Sequence, residues 1–204
     1  MELKTFTLTP FATNCYVVID GGEALVVDPG EPAPALLQAI EGLRVPMIFN
    51  THCHLDHSNG NAALVEATGA PLVCHADELP LLQALPQQGA MFGVPATPSP
   101  DPDRFIQPGE QITVGGTTLD VRFTPGHSPG HVVLVGDGFV IAGDTLFAGS
   151  IGRTDLPGGD TQTLLDSIQR ELMTLPDDTI VYCGHGPATT IGEERHTNPF
   201  LNMR

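Results

Sequence analysis

Positive charge is scarce in this sequence. Eight lysines and arginines stand against 24 acidic residues, a formal net charge of -16. Nucleic-acid binding needs clustered cations to displace counterions from phosphates, and one lysine with seven scattered arginines supplies no such cluster. The same charge repels anionic membrane surfaces, and no apolar run approaches the ~20 residues of a spanning helix. The N-terminal "MELKTFTLTPFATNCYVVID" lacks a basic stretch followed by an apolar one, so no signal peptide is read there. Tryptophan is absent, and the four cysteines (Cys15, Cys53, Cys74 and Cys183) form no CxxC pair. The expectation is reduced thiols in a cytoplasmic protein. The 204 residues fit one domain with a proper hydrophobic core.

Histidine, by contrast, is concentrated. Of eight in the chain, three fall in "NTHCHLDHSNG", where His52, His54, Asp56 and His57 occupy six positions. On a helix, residues two apart point to nearly opposite sides, whereas on an extended segment they share a face. The spacing therefore predicts an extended segment running into a turn, presenting imidazoles and a carboxylate to more than one centre. Cys53, between two of the histidines, points away from them into the core on the same alternation.

Short β-branched runs open the chain: "KTFTLT", "CYVVID" and "ALVVDPG". Helical patterns cover residues 33–43, 61–69, 76–85 and 161–175, and strands are expected at 46–50, 71–75, 111–116, 118–124, 131–136, 138–143 and 179–184. Residues 86–109, rich in proline and glycine, read as a long irregular loop, with Met91 or Phe92 available to a lid. The mixture of strand–helix alternation and hairpin-like pairs predicts two central sheets with helices outside, a plain doubly wound sheet being the alternative.

The other histidine and aspartate candidates share one setting. "LDVRFT" leads to His127, "GFVIAG" to Asp144 and "TIVYCG" to His185, as "PMIFN" leads to the first cluster. Loops at strand ends along one sheet edge can converge. Five histidines and two aspartates exceed what one tetrahedral metal needs, and two sites sharing a bridging carboxylate account for the surplus.

Together, "THCHLDH", "TPGHSPGH", "GDTLF" and "CGHGPATTIG" resemble the metal motifs of the metallo-β-lactamase superfamily over nearly the whole chain. The resemblance implies a four-layer αββα sandwich formed by residues 1–204 as one domain. It assigns His52, His54 and His127 to one metal and Asp56, His57 and His185 to a second, with Asp144 bridging and Asp28 of "LVVDPG" in support. Zinc is the first expectation for the two divalent ions, with iron or manganese as alternatives. "GDTLFAGSIGRTDLPGGD" and "GHGPATTIGEERHTNPF" are further similar to the hydroxyacylglutathione hydrolases (glyoxalase II), closest to the short bacterial type without the helical C-terminal extension. This implies hydrolysis of a small thioester such as S-lactoylglutathione by metal-activated water, with Asp56 as proton acceptor. Arg153 and Arg195 are the candidates for substrate contact, although Asp155 stands where the longer enzymes carry a tyrosine and would repel a carboxylate. His131 is expected beneath the site rather than on a metal.

A mononuclear-iron persulfide dioxygenase, holding its iron through His52 or His54, His127 and Asp144, is the principal alternative, because "GRTD" also occurs in that group. A lactonase or β-lactamase, or a metal-binding protein without turnover, is the weaker alternative.

Overall fold

A computed structural model describes residues 1–202. Contacts divide the chain into two compact units, Met1–Ile106 with Thr113–Thr118, and Gln107–Ile112 with Leu119–Arg204.

The first unit opens with strands β1 (Glu2–Leu8), β2 (Thr13–Asp20) and β3 (Glu23–Val27), paired antiparallel. The β2–β3 turn uses Gly21 and Gly22, both at positive φ, the backbone that a two-residue hairpin loop requires. From β3 onward the topology changes. Helix α1 (Pro34–Ile40) leads to β4 (Ile48–Phe49), and α2 (Leu55–Ser58) and α3 (Asn61–Thr68) lead to β5 (Leu72–His75). Helices α4 (Leu79–Gln83) and α5 (Leu85–Phe92) then lead to β6 (Arg104–Ile106). Strands β3 to β6 are all parallel, so their carboxyl ends emerge on one edge of a six-stranded sheet. Val26, Ile48 and Leu72 on the strands and Leu36, Leu64 and Leu82 on the helices are buried together in its core.

The second sheet begins with the hairpin β7 (Gln111–Val114) and β8 (Thr117–Phe123). Strands β9 (Val132–Gly136) and β10 (Phe139–Gly143) follow, and β11 (Leu146–Phe147) and β12 (Ser150–Ile151) form a small separate pair. Helix α6 (Thr161–Ser167) continues as a π-helical stretch, Ile168–Leu172, before β13 (Ile180–Cys183), β14 (Thr189–Thr190) and α7 (Ile191–Thr197). The order is β14-β13-β10-β9-β8-β7. Because β9 is antiparallel to both β8 and β10, and β13 is parallel to β10, the carboxyl ends of β8, β10 and β13 share an edge.

The irregular loop expected over residues 86–109 is a correction. Its start is helix α5, which accepts Pro86 because proline fits the first helical turn, where its missing N–H has no intrahelical partner. Gly93, at φ +68, ends the helix in the left-handed conformation. Further on, β6 pairs in parallel with β5. Among the described residues, no helix is long and apolar enough to cross a membrane.

All four cysteines are fully buried. Burial pushes the Cys15 and Cys53 thiols well up, and pushes Cys183 up to about 12, so thiolate is scarce at neutral pH. A disulfide thiol reagent at pH 8 should label none of the four until denaturant is added. Rapid stoichiometric labelling of the folded protein would contradict this packing.

Candidate metal centre

In the first unit, the site grows from the carboxyl ends of β3 and β4. Asp28 follows β3 at φ +54, a left-handed conformation that aspartate tolerates better than most residues. It is 1 % exposed. Its Oδ1 accepts the Thr51 N–H at 2.7 Å and its Oδ2 accepts the Thr51 hydroxyl at 2.7 Å. The same Oδ2 lies 3.1 Å from His57 Nδ1. A carboxylate can only accept, so His57 carries its proton on Nδ1 and turns Nε2 toward Asp56 Oδ2, 3.6 Å away.

His52 lies at a bend after β4, His54 on extended backbone just ahead of α2, and Asp56 and His57 on the short helix α2. The rings of His52 and His54 are 4.9 Å apart and those of His52 and His57 4.2 Å. Asp28, His52 and His57 each offer a ligand-type atom within 4.8 Å of the others. Cys53 is in the core, as the alternation predicts.

Residues without any motif hold this segment in place. Buried Glu78 accepts the Cys53 N–H at 2.7 Å. Gln88 accepts the Leu55 N–H at 2.9 Å and donates to the Cys53 carbonyl at 3.3 Å. Thr13, fully buried at the start of β2, donates its hydroxyl to Asp56 Oδ2 at 2.7 Å. These contacts span 25 to 43 positions in sequence, so nothing local announces them.

In the second unit, Asp144 follows β10, His127 follows β8 and His185 follows β13. One carboxylate oxygen of Asp144 faces His127 Nε2 at 3.5 Å and His185 Nε2 at 3.4 Å. His127 Nδ1 donates to the Arg153 carbonyl at 2.7 Å, leaving a lone pair on Nε2. For the neutral imidazole, that lone pair and the carboxylate oxygen are two acceptors facing each other, and a cation relieves the arrangement. The same relation holds between His57 and Asp56. These nitrogen and oxygen donors fit a divalent metal such as zinc, iron or manganese.

His131 is fully buried and lies beneath Asp144, accepting the Asp144 N–H on Nε2 at 3.1 Å. Its Nδ1 is within 3.0 and 3.1 Å of the Thr124 and Thr145 hydroxyls. It thus fixes the backbone from which the carboxylate projects.

The two arginines proposed for substrate are engaged with their own chain. Arg153 forks onto Asp155 through two bonds of 2.7 Å, which hold the Asp155 carboxyl down at about 2. Arg195 donates to the Met173 and Leu175 carbonyls at 2.9 and 3.1 Å and pairs with Asp177. Those bonds tie α7 to the stretch that precedes β13.

Gly30 packs against this loop so closely that a Cβ would overlap the Asp56 carbonyl oxygen. Gly30→Ala should therefore destabilise the protein by about 1–3 kcal/mol and reduce its metal content. An unchanged melting temperature together with unchanged metal content would contradict that close approach.

Comparison with known proteins agrees with this geometry. The family model described as "Metallo-beta-lactamase superfamily" matches residues 8–185. A curated relative, the hydroxyacylglutathione hydrolase GloC of Haemophilus influenzae, is 38% identical over 211 residues, covering 100% of both chains. Among solved structures, TTHA1623 in a di-iron-bound form is 40% identical with a TM-score of 0.89, covering 97% of this chain and 100% of that one. ETHE1 from Myxococcus xanthus is 28% identical with a TM-score of 0.81, covering 100% of this chain and 86% of that one. The chain thus belongs to the metallo-β-lactamase superfamily, with the αββα sandwich as its fold class.

Proposed function

We propose that this chain is a metal-dependent thioesterase of the hydroxyacylglutathione hydrolase type. The observation that carries the reading is the single Asp144 oxygen set against two imidazole nitrogens, the disposition of a carboxylate shared by two cations. Full-length similarity to GloC supports the substrate class. In this reading, His52, His54 and His127 would hold one divalent ion, Asp56, His57 and His185 the other, and Asp144 both. Metals bound there lower the pKa of water and polarise the substrate carbonyl.

The chain's own groups do the rest. Asp28 and the Arg153 carbonyl fix the tautomers of His57 and His127, and His131 seats Asp144. The Thr13 hydroxyl holds one oxygen of Asp56, so the carboxylate keeps one rotamer. Asp56 takes a proton from the attacking water as its oxygen bonds to the acyl carbon. The carbon–sulfur bond breaks, Asp56 returns the proton to the departing thiolate, and the new carboxylic acid loses its own proton to solvent.

The persulfide dioxygenase reading is favoured by the likeness to ETHE1 and needs only part of the same ligand set. Loss of thioester absorbance from S-lactoylglutathione, with zinc-loaded and iron-loaded protein in parallel, separates the two. Turnover with either metal is expected; no turnover with metal bound, together with oxygen uptake on glutathione persulfide, would reverse the assignment. Asp56→Asn should lower kcat by about 10²–10⁴-fold, and an unchanged rate would remove Asp56 from the mechanism.

A further inference from the structure

A cavity of about 210 Å³ opens beside Asp56 within the first unit. Its walls are Phe11 from the β1–β2 turn, Leu55 from α2, and Val94 and Pro95 beyond α5. The charged side chains lining it are Glu31 and Asp56, both acidic, and no lysine or arginine is among them. No cationic side chain lines it to pair with an anionic group, and its apolar walls suit an apolar one.

The walls are built rather than incidental. Thr9 and Ala12, neither of them glycine, stand at φ +63 and +55 to form the turn that presents Phe11. A β-branched residue in that region is a true outlier, of the kind that clusters at ligand sites. The Thr9 hydroxyl accepts the Phe11 N–H at 3.2 Å and meets the Thr13 hydroxyl at 3.1 Å, and Thr13 in turn grips Asp56. One short chain of hydrogen bonds therefore ties the aromatic wall to the proposed proton acceptor. Opposite, Asn59 accepts the Thr97 N–H at 2.7 Å, which anchors the segment carrying Val94 and Pro95. Phe92 meets Phe11 edge-on with ring centres 5.8 Å apart, and both remain 39 % exposed. Apolar surface is thus left at the mouth of a cavity containing a carboxylate assigned to catalysis.

We infer that this cavity is the acyl subsite and that it takes an uncharged, apolar acyl chain; the inference rests on the thioesterase reading. At ~30 Å³ per water the cavity displaces about seven waters, room for a chain of about four to six carbons. The anionic parts of a glutathione leaving group have no place in it. The preferred substrate class is then a thioester with a longer and more apolar acyl group than lactoyl.

The test uses the metal-loaded, full-length protein with acetyl and hexanoyl thioesters of one uncharged thiol, N-acetylcysteamine. Burial of each added methylene is worth roughly fourfold in kcat/KM, so hexanoyl, with four more methylenes than acetyl, should exceed it by ~100–300-fold. Phe11→Ala and Val94→Asp, which alter opposite walls, should each reduce that ratio at least tenfold, chiefly through KM, with folding followed by melting temperature. Thioester hydrolysis with no hexanoyl preference, or with the preference intact in both folded variants, would overturn the subsite and leave the thioesterase standing. Should neither these thioesters nor S-lactoylglutathione be hydrolysed, the thioesterase reading fails, and calorimetric binding of the ketone analogue, with CH2 replacing sulfur, decides the subsite. Binding weakened by Phe11→Ala would sustain it; no binding, or binding indifferent to both variants, would overturn it.

Discussion

Twice in this chain a carboxylate oxygen faces an imidazole nitrogen whose proton is held on the far side of the ring. Asp56 meets His57 in this way in the first unit, and Asp144 meets His127 in the second. The far side is fixed in each case by a group that can only accept, the Asp28 carboxylate or the Arg153 carbonyl. Acceptor set against acceptor is unfavourable in a buried place unless a cation lies between. Much of the surrounding structure serves to hold these four groups in that relation.

The parallel strands explain how they are held. In each unit, strands running the same way bring their carboxyl ends to one sheet edge, and the loops leaving that edge carry the histidines and aspartates. Strands fix where a loop starts far better than a loop fixes itself. Beneath the loops lies a layer of polar residues: Asp28, Glu78 and Gln88 in one unit, His131 with Thr124 and Thr145 in the other. Each bonds to a candidate ligand, to the backbone between ligands, or to another member of the layer, so its effect is exerted through geometry.

Much of this was legible in the sequence. The β-branched runs marked the long strands, and the crowding of His52, His54, Asp56 and His57 marked the site, because metal ligands are chemically distinctive. Helix α5 was not legible: Pro86 and Gly89 lower intrinsic helicity, and only tertiary packing overrides them. A Cβ at Gly89 would overlap Ala96, so the glycine is there for close approach rather than for a loop. Thr13, Glu78 and Gln88 were invisible for another reason. Each is an ordinary polar residue whose partner is distant in sequence, and its role exists only in the folded chain. Arg153 and Arg195 show the reverse case, conspicuous cations in a chain with few, yet bonded to their own neighbours.

The family fixes the chemistry of the centre more tightly than it fixes the substrate, since fold and ligand set are shared by enzymes acting on different bonds. What differs is the wall around the metals, here acidic and aromatic near Asp56. The central claim is that two ions are shared across one carboxylate. Metal content per chain, determined by elemental analysis on protein loaded with zinc and with iron, tests it directly. The account predicts two ions per chain, falling to one or fewer when Asp144 is replaced by alanine. A full complement of one ion in the unaltered protein, or two retained in Asp144→Ala, would contradict it.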